Sequence, residues 1–126
     1  MNINIRIIPH AEQRYDTCGD WWLSEAGDLE IRVSAMGDWR HEALVAHHEL
    51  TEALLCKERG ITTEQVDVFD REHVESWDRR KPFVEPGDHP EAPYHKEHFF
   101  ATSVERLLCA ELGVDWFDYD DVVSSL

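Results

Sequence analysis

The sequence predicts a single α+β domain, on three observations. Short stretches of strand character fill the N-terminal third, two later stretches keep helical spacing up to a glycine, and a proline-rich segment separates those helices. The expected architecture is a small antiparallel sheet of about three strands, packed on a central helix and on a second long helix. A chain of 126 residues is long enough for one core and too short for two.

The strands come first, within residues 1–36. Asn2 to Ile8 is rich in isoleucine and ends at Pro9, which favours a strand. His10 to Gly19 is polar and reads as an irregular connection. Trp21 to Ser24 and Asp28 to Ser34 flank Glu25-Ala26-Gly27, a spacing suited to a hairpin. In the second of these strands Leu29, Ile31 and Val33 alternate with Glu30, Arg32 and Ser34, giving one buried face and one wet face.

Asp38 is a plausible N-cap for a helix from Trp39 to about Arg59, and Gly60 stands where a C-terminal glycine is expected, so residues 38–60 form the central helix. Plotted at about 100° per residue it is apolar almost all round, with a narrow polar band at Arg40, His47, Thr51 and Glu58. Residues 61–94 are a covering segment. A short helix starts at Thr62-Thr63-Glu64 and runs through Asp70 or beyond, and a loop from Arg79 to Tyr94 carries Pro82, Pro86, Pro90 and Pro93. Helical spacing returns over residues 95–113, ending at Gly113. Residues 114–126 are an acidic tail packed by Trp116, Phe117 and Tyr119.

Composition narrows the function. Asp and Glu number 27 against 12 Lys and Arg, a formal net charge of −15. Such a surface repels phosphate backbones, so nucleic acid is not an expected ligand. Cys18, Cys56 and Cys109 are widely spaced and include no C-x-x-C pair, which excludes a zinc knuckle and suits a reduced, cytoplasmic protein. No apolar run suits a signal peptide or a membrane span.

The chemistry concentrates in Leu44 to Leu55, L-V-A-H-H-E-L-T-E-A-L-L. His48 and Glu52 are four apart, so on a helix they project from one side, a turn apart. Glu49 lies on the flank of that pair. Two metal ligands and a carboxylate able to carry a proton are thereby gathered in one helix.

The segment V45-A-H-H-E-L-T-E-A-L54 resembles the active-site helix of zincin metallopeptidases, whose core is H-E-x-x-H. The resemblance implies that His48 is the first zinc ligand and Glu49 the general base. It places Glu52 where that family has its second histidine. The order of strands, hairpin, helix, loop and second helix also resembles the minimal zincin core, over roughly Leu29 to Leu112. With His98 of the later helix as third ligand, the set is two imidazoles and one carboxylate, the zinc chemistry of that family in permuted order. Iron(II) or manganese(II) fits the same set.

The implied activity is hydrolysis of a peptide or protein substrate by a water activated at Glu49. The strand Asp28 to Ser34, at an edge, could pair with an extended substrate, and Tyr94 or His95 could stabilise an oxyanion. Several alternatives stay open. His48 and Glu52 could form only a buried hydrogen bond, His95 could replace His98, and Glu105 could either orient a ligating histidine or coordinate. His41 and His47 read as ordinary polar residues, and Thr102 and Cys109 as packing. The same features also suit a metal-binding or protein-interaction module without turnover.

Overall fold

The computed structural model describes residues 1–82 and 84–126, and within them the chain is α+β: a three-stranded mixed sheet and four helices. Strands β1 (Ile3–Ile8), β2 (Gly19–Leu23) and β3 (Leu29–Ser34) lie in the order β1-β3-β2. The expected hairpin is present, with β2 antiparallel to β3 and Trp21 paired with Ile31. Ser24 N–H donates to Asp28 O and Gly27, at φ +83, turns the chain between them.

Two expectations about the sheet are corrected. β1 runs parallel to β3, with Ile5 beside Ile31, so the sheet is mixed and not wholly antiparallel. The connection through residues 9–18 stays at one end of the sheet and skips one strand position; β2 runs back antiparallel, and the hairpin returns β3 into the gap, parallel to β1. Strand β3 is consequently central. The edges belong to β1 and β2, so Asp28 to Ser34 is not available for pairing with an extended substrate.

Helix α1 (Trp39–Glu58) starts at Asp38, whose side chain accepts from Arg40 N–H, and stops at Gly60 with φ +71. It packs on β2 and β3, burying Leu44, Val45, Ala46, Ala53 and Cys56 against Trp21, Leu29, Ile31 and Val33. It hardly touches β1. Its exposed face is therefore wider than the polar band read from sequence and includes Trp39 and Leu54.

Helix α2 (Thr63–Glu75) opens on a reciprocal Thr62–Gln65 capping box and continues past Asp70, as expected. Arg14 ties the β2 region to it, bonding both Asp20 and Asp67. The proline-rich stretch contains one 3-10 turn, Pro86–Asp88; of that stretch, Phe83 lies outside the described residues. Helix α3 (His95–Glu111) packs along α1. The acidic tail is not irregular. Asp115 caps a fourth helix, α4 (Trp116–Ser124), whose Tyr119 is buried. No helix among the described residues is long and apolar enough to cross a membrane.

Helix α3 has an unusual division of faces. It buries Glu97, His98, Ala101, Glu105 and Cys109, while Phe99, Phe100 and Leu107 are exposed. Charged groups turned inward need partners there, and α1 supplies Glu52 to His98 and His48 to Glu105.

Candidate metal centre

His48 and Glu52 project from α1 toward α3, where His98 meets them. His48 Nε2 lies 3.1 Å from Glu52 Oε2 and 3.1 Å from His98 Nδ1, and His98 Nδ1 lies 2.9 Å from the same Glu52 oxygen. The three atoms form a nearly equilateral triangle, and all three residues are buried. A tetrahedral zinc ion bound at about 2.0–2.1 Å holds its ligand atoms roughly 3.3 Å apart. The triangle falls short of that by only a few tenths of an ångström, so the side chains present could hold a metal ion.

Groups behind the triangle determine which atoms face inward. His48 Nδ1 donates to Glu105 Oε1 at 2.8 Å, and Glu105 in turn accepts from Tyr119 of α4. His98 Nε2 donates to Asp88 Oδ1 at 3.0 Å, and Gly87 lies flat against its ring, where a Cβ would collide with the imidazole. Trp21 Nε1 donates to Glu52 Oε1 at 2.9 Å, leaving Oε2 for the triangle. Carboxylates with no proton only accept, so each ring spends its N–H outward. In the neutral rings the inward nitrogens then carry lone pairs. Two imidazole lone pairs and a carboxylate oxygen converge on one point, an arrangement that needs a cation or protons.

The proton affinities express the same fact. Burial alone would lower His48, but hydrogen bonds to Glu105 and Glu52 outweigh it and hold the ring well above the usual histidine range. His98, opposed by burial and favoured by Asp88 and Glu52, is pushed up to about 10. Burial works to raise Glu52, yet the hydrogen bonds from His48 and His98 bring it down to about 2. A metal ion entering this triangle competes with those protons.

Glu49 is half-buried beside the triangle and coordinates nothing in it. A Cβ at Gly19 would come within 2.6 Å of Glu49 Oε1, so the bare glycine of β2 makes room for that carboxylate. Burial, reinforced by the neighbouring Glu52 charge, raises Glu49 well above the ordinary carboxylate range. The site opens into a cavity of about 930 Å³ whose lining includes Glu49, Asp70, Trp77, Phe99, Arg106 and Trp116.

The structure therefore brings His48, Glu52 and His98 together, and Glu49 lines the same cavity. Glu105 is bonded to the far nitrogen of His48, the orienting position and not the coordinating one. His95 is not brought in, since its Nδ1 bonds Gly87 O. The Tyr94 hydroxyl donates to Asp70 instead of standing free for an oxyanion. His41 rests on the Tyr119 ring, and His47 is exposed. Sequence reasoning missed Asp88, Trp21 and Gly19, because nothing local distinguishes a loop aspartate, a core tryptophan or a strand glycine that will meet the site. A second grouping, Glu85 and Asp88 on the Nε2 side of His98, has the composition of a ligand set, but its carboxylates are more exposed.

Two expected results follow from these partners. Asp88→Asn replaces the carboxylate that fixes the His98 ring, and zinc titration should show an affinity roughly 10–100-fold weaker than wild type. Asp70 concerns stability. It accepts from Tyr15 at 2.9 Å and from Tyr94, and burial lifts it from the usual 3.8 to about 7 in spite of those bonds. An acid whose affinity for its proton rises on folding favours the folded state when protonated, so stability is lost as pH climbs from about 4 through about 7. The rise corresponds to roughly 4 kcal/mol of ionisation cost. Asp70→Asn should flatten that part of the stability profile, read as urea midpoints across the same pH range.

No family model, no curated protein and no solved structure matches this chain. What the centre does thus rests on its own geometry.

Proposed function

We propose that this chain is a metal-dependent hydrolase of the zincin type acting on peptide bonds, with zinc held by His48 Nε2, Glu52 Oε2 and His98 Nδ1. The observation that carries the reading is the triangle of inward-facing ligand atoms with the uncoordinated Glu49 carboxylate beside it, at the wall of a cavity. Bound there, zinc would supply a Lewis acid that acidifies water and polarises a carbonyl.

The chain's own residues do the rest. Glu49, with its raised proton affinity, takes a proton from the attacking water and returns it to the leaving amine. Glu105 and Asp88 hold the two imidazoles in the tautomers that keep lone pairs inward. Trp21 occupies the second oxygen of Glu52 and keeps that ligand monodentate. The donor set of two imidazoles and one carboxylate also accommodates iron(II) or manganese(II).

A metal-binding or interaction module without turnover is the second reading, favoured by Glu52 in place of the histidine found in the H-E-x-x-H helix. One experiment separates them. Zinc-loaded protein is incubated with a mixture of unstructured peptides, and newly formed amino termini are counted before and after chelation. Cleavage lost with chelation and restored by zinc supports the hydrolase. Tight zinc binding without cleavage selects the binding module, and failure to bind any of the three metals removes the hydrolase and the metal-binding module alike, leaving only an interaction module.

A further inference from the structure

We propose that the outer edge of β1 is a docking surface for a second copy of this chain, pairing antiparallel about Ile5 to join two three-stranded sheets into one of six. The surface lies on the opposite side of the sheet from β2 and the metal centre, and the inference does not depend on what that centre does.

Four observations on β1 converge. The first is its free main chain. Its ladder with β3 uses the even positions: Leu29 N–H donates to Asn2 O and Ala35 N–H to Ile8 O, with Ile5 in register beside Ile31. In a parallel ladder the alternate residues then direct N–H and C=O away from the partner. These are Ile3, Ile5 and Ile7, and β1 ends the sheet order.

The second is the apolar stripe. Ile3, Ile5 and Ile7 share a face with Leu29, Ile31 and Val33, their register partners. The β3 residues are at most 1 % exposed, whereas the three isoleucines remain 44–47 % exposed because α1 covers β2 and β3 and stops short of β1. Trp39 and Leu54 on α1 are exposed as well. A flat, unblocked edge with an apolar face is one that soluble proteins ordinarily protect.

The third is charge. In a chain of net charge −15, residues 1–11 contain no Asp or Glu, the longest such run in the sequence, and they include Arg6. Two strongly acidic copies repel each other over most of their surfaces. This segment is where they can approach.

The fourth is self-complementarity. Centring the pair on Ile5 sets Ile5 opposite Ile5 and Ile3 opposite Ile7 of the second copy. All outward N–H and C=O groups of the three residues find partners, and the six isoleucines form one continuous stripe. A register shifted by two residues leaves an isoleucine in each copy without an isoleucine opposite it. On the other face, Arg6 of the second copy falls opposite Asn4, which donates to Glu30 Oε1 at 3.0 Å, so an arginine arrives one strand away from a carboxylate. The two-fold relation fits the commonest symmetry of soluble oligomers.

The test is solution mass by light scattering over a range of concentrations, combined with register-specific cross-linking. Wild type should show a mass of two chains. Ile5→Pro removes one outward N–H without touching the β3 ladder, and Ile5→Lys keeps that N–H but adds like charge at the two-fold. Both should shift the mass to one chain with an unchanged far-UV circular dichroism spectrum.

Under oxidation Ile5→Cys should cross-link to its own copy, since directly opposed residues bring their Cα atoms to about 5.5 Å. Ile3→Cys should not, because its partner is Ile7. Wild type, which carries Cys18, Cys56 and Cys109, is the blank. A one-chain mass at the highest attainable concentration overturns the proposal and leaves the edge to some other extended segment. So does a dimer that survives both Ile5 substitutions, or equal cross-linking at positions 3 and 5.

Discussion

Glu49→Gln is expected to lower the rate of peptide hydrolysis by roughly 10²–10⁴-fold, the usual contribution of a positioned general acid–base, while zinc affinity stays within a few-fold of wild type. The amide keeps the size of the carboxylate, so the contact with Gly19 persists and the fold should be undisturbed. What is lost is a group able to take and return a proton. Because Glu49 lies outside the triangle of ligand atoms, metal content should be retained. Single-turnover kinetics with zinc-loaded variant and wild type, beside elemental analysis of both, makes the comparison. A variant as active as wild type would remove Glu49 from the chemistry.

His98→Ala is expected to weaken zinc binding by more than about 100-fold, the upper end of what losing an outer partner alone costs. It removes one corner of the triangle and takes one bond each from Glu52 and Asp88. Breaking a buried charged cluster on one side also destabilises, by about 3–5 kcal/mol. The apo variant should therefore melt below apo wild type. The distinguishing readout is the zinc dependence of Tm. In wild type zinc at a thousand times its Kd should add about 4 kcal/mol to stability, and in the variant at the same zinc concentration that increment should fall to about 1.4 kcal/mol or less. An equal zinc-dependent rise in both proteins would mean the ion binds elsewhere.

Much of this centre was legible before any coordinates. His48, Glu49 and Glu52 sit within five residues of one helix, where fixed periodicity decides which side chains share a face. The hairpin and both ends of α1 were readable for the same reason, as alternation, an aspartate cap and a glycine stop are local signals. Residues joined only by topology were less legible. Nothing in the sequence states that β1 returns parallel to β3, and that one fact moves Asp28 to Ser34 from an edge to the middle. Asp88 sits in a proline-rich turn whose approach to His98 depends on how the covering segment drapes. Helix α3 misleads in another way. Its apolar Phe99, Phe100 and Leu107 face outward while Glu97, His98 and Glu105 face in, the reverse of the ordinary expectation for a surface helix.

Several of the bonds that define the centre span long stretches of chain. His48 meets His98 fifty positions away and Glu105 fifty-seven positions away, and Trp21 reaches Glu52 across thirty-one. Closing such loops costs configurational freedom before any contact repays it, so folding rates fall as contacts become more distant. His98 and Glu105 therefore reach His48 only where α3 is packed along α1. A divalent ion offered to the unfolded chain would find only His48 and Glu52 close together in sequence, so an ion held by all three side chains would bind the folded state in preference and stabilise it.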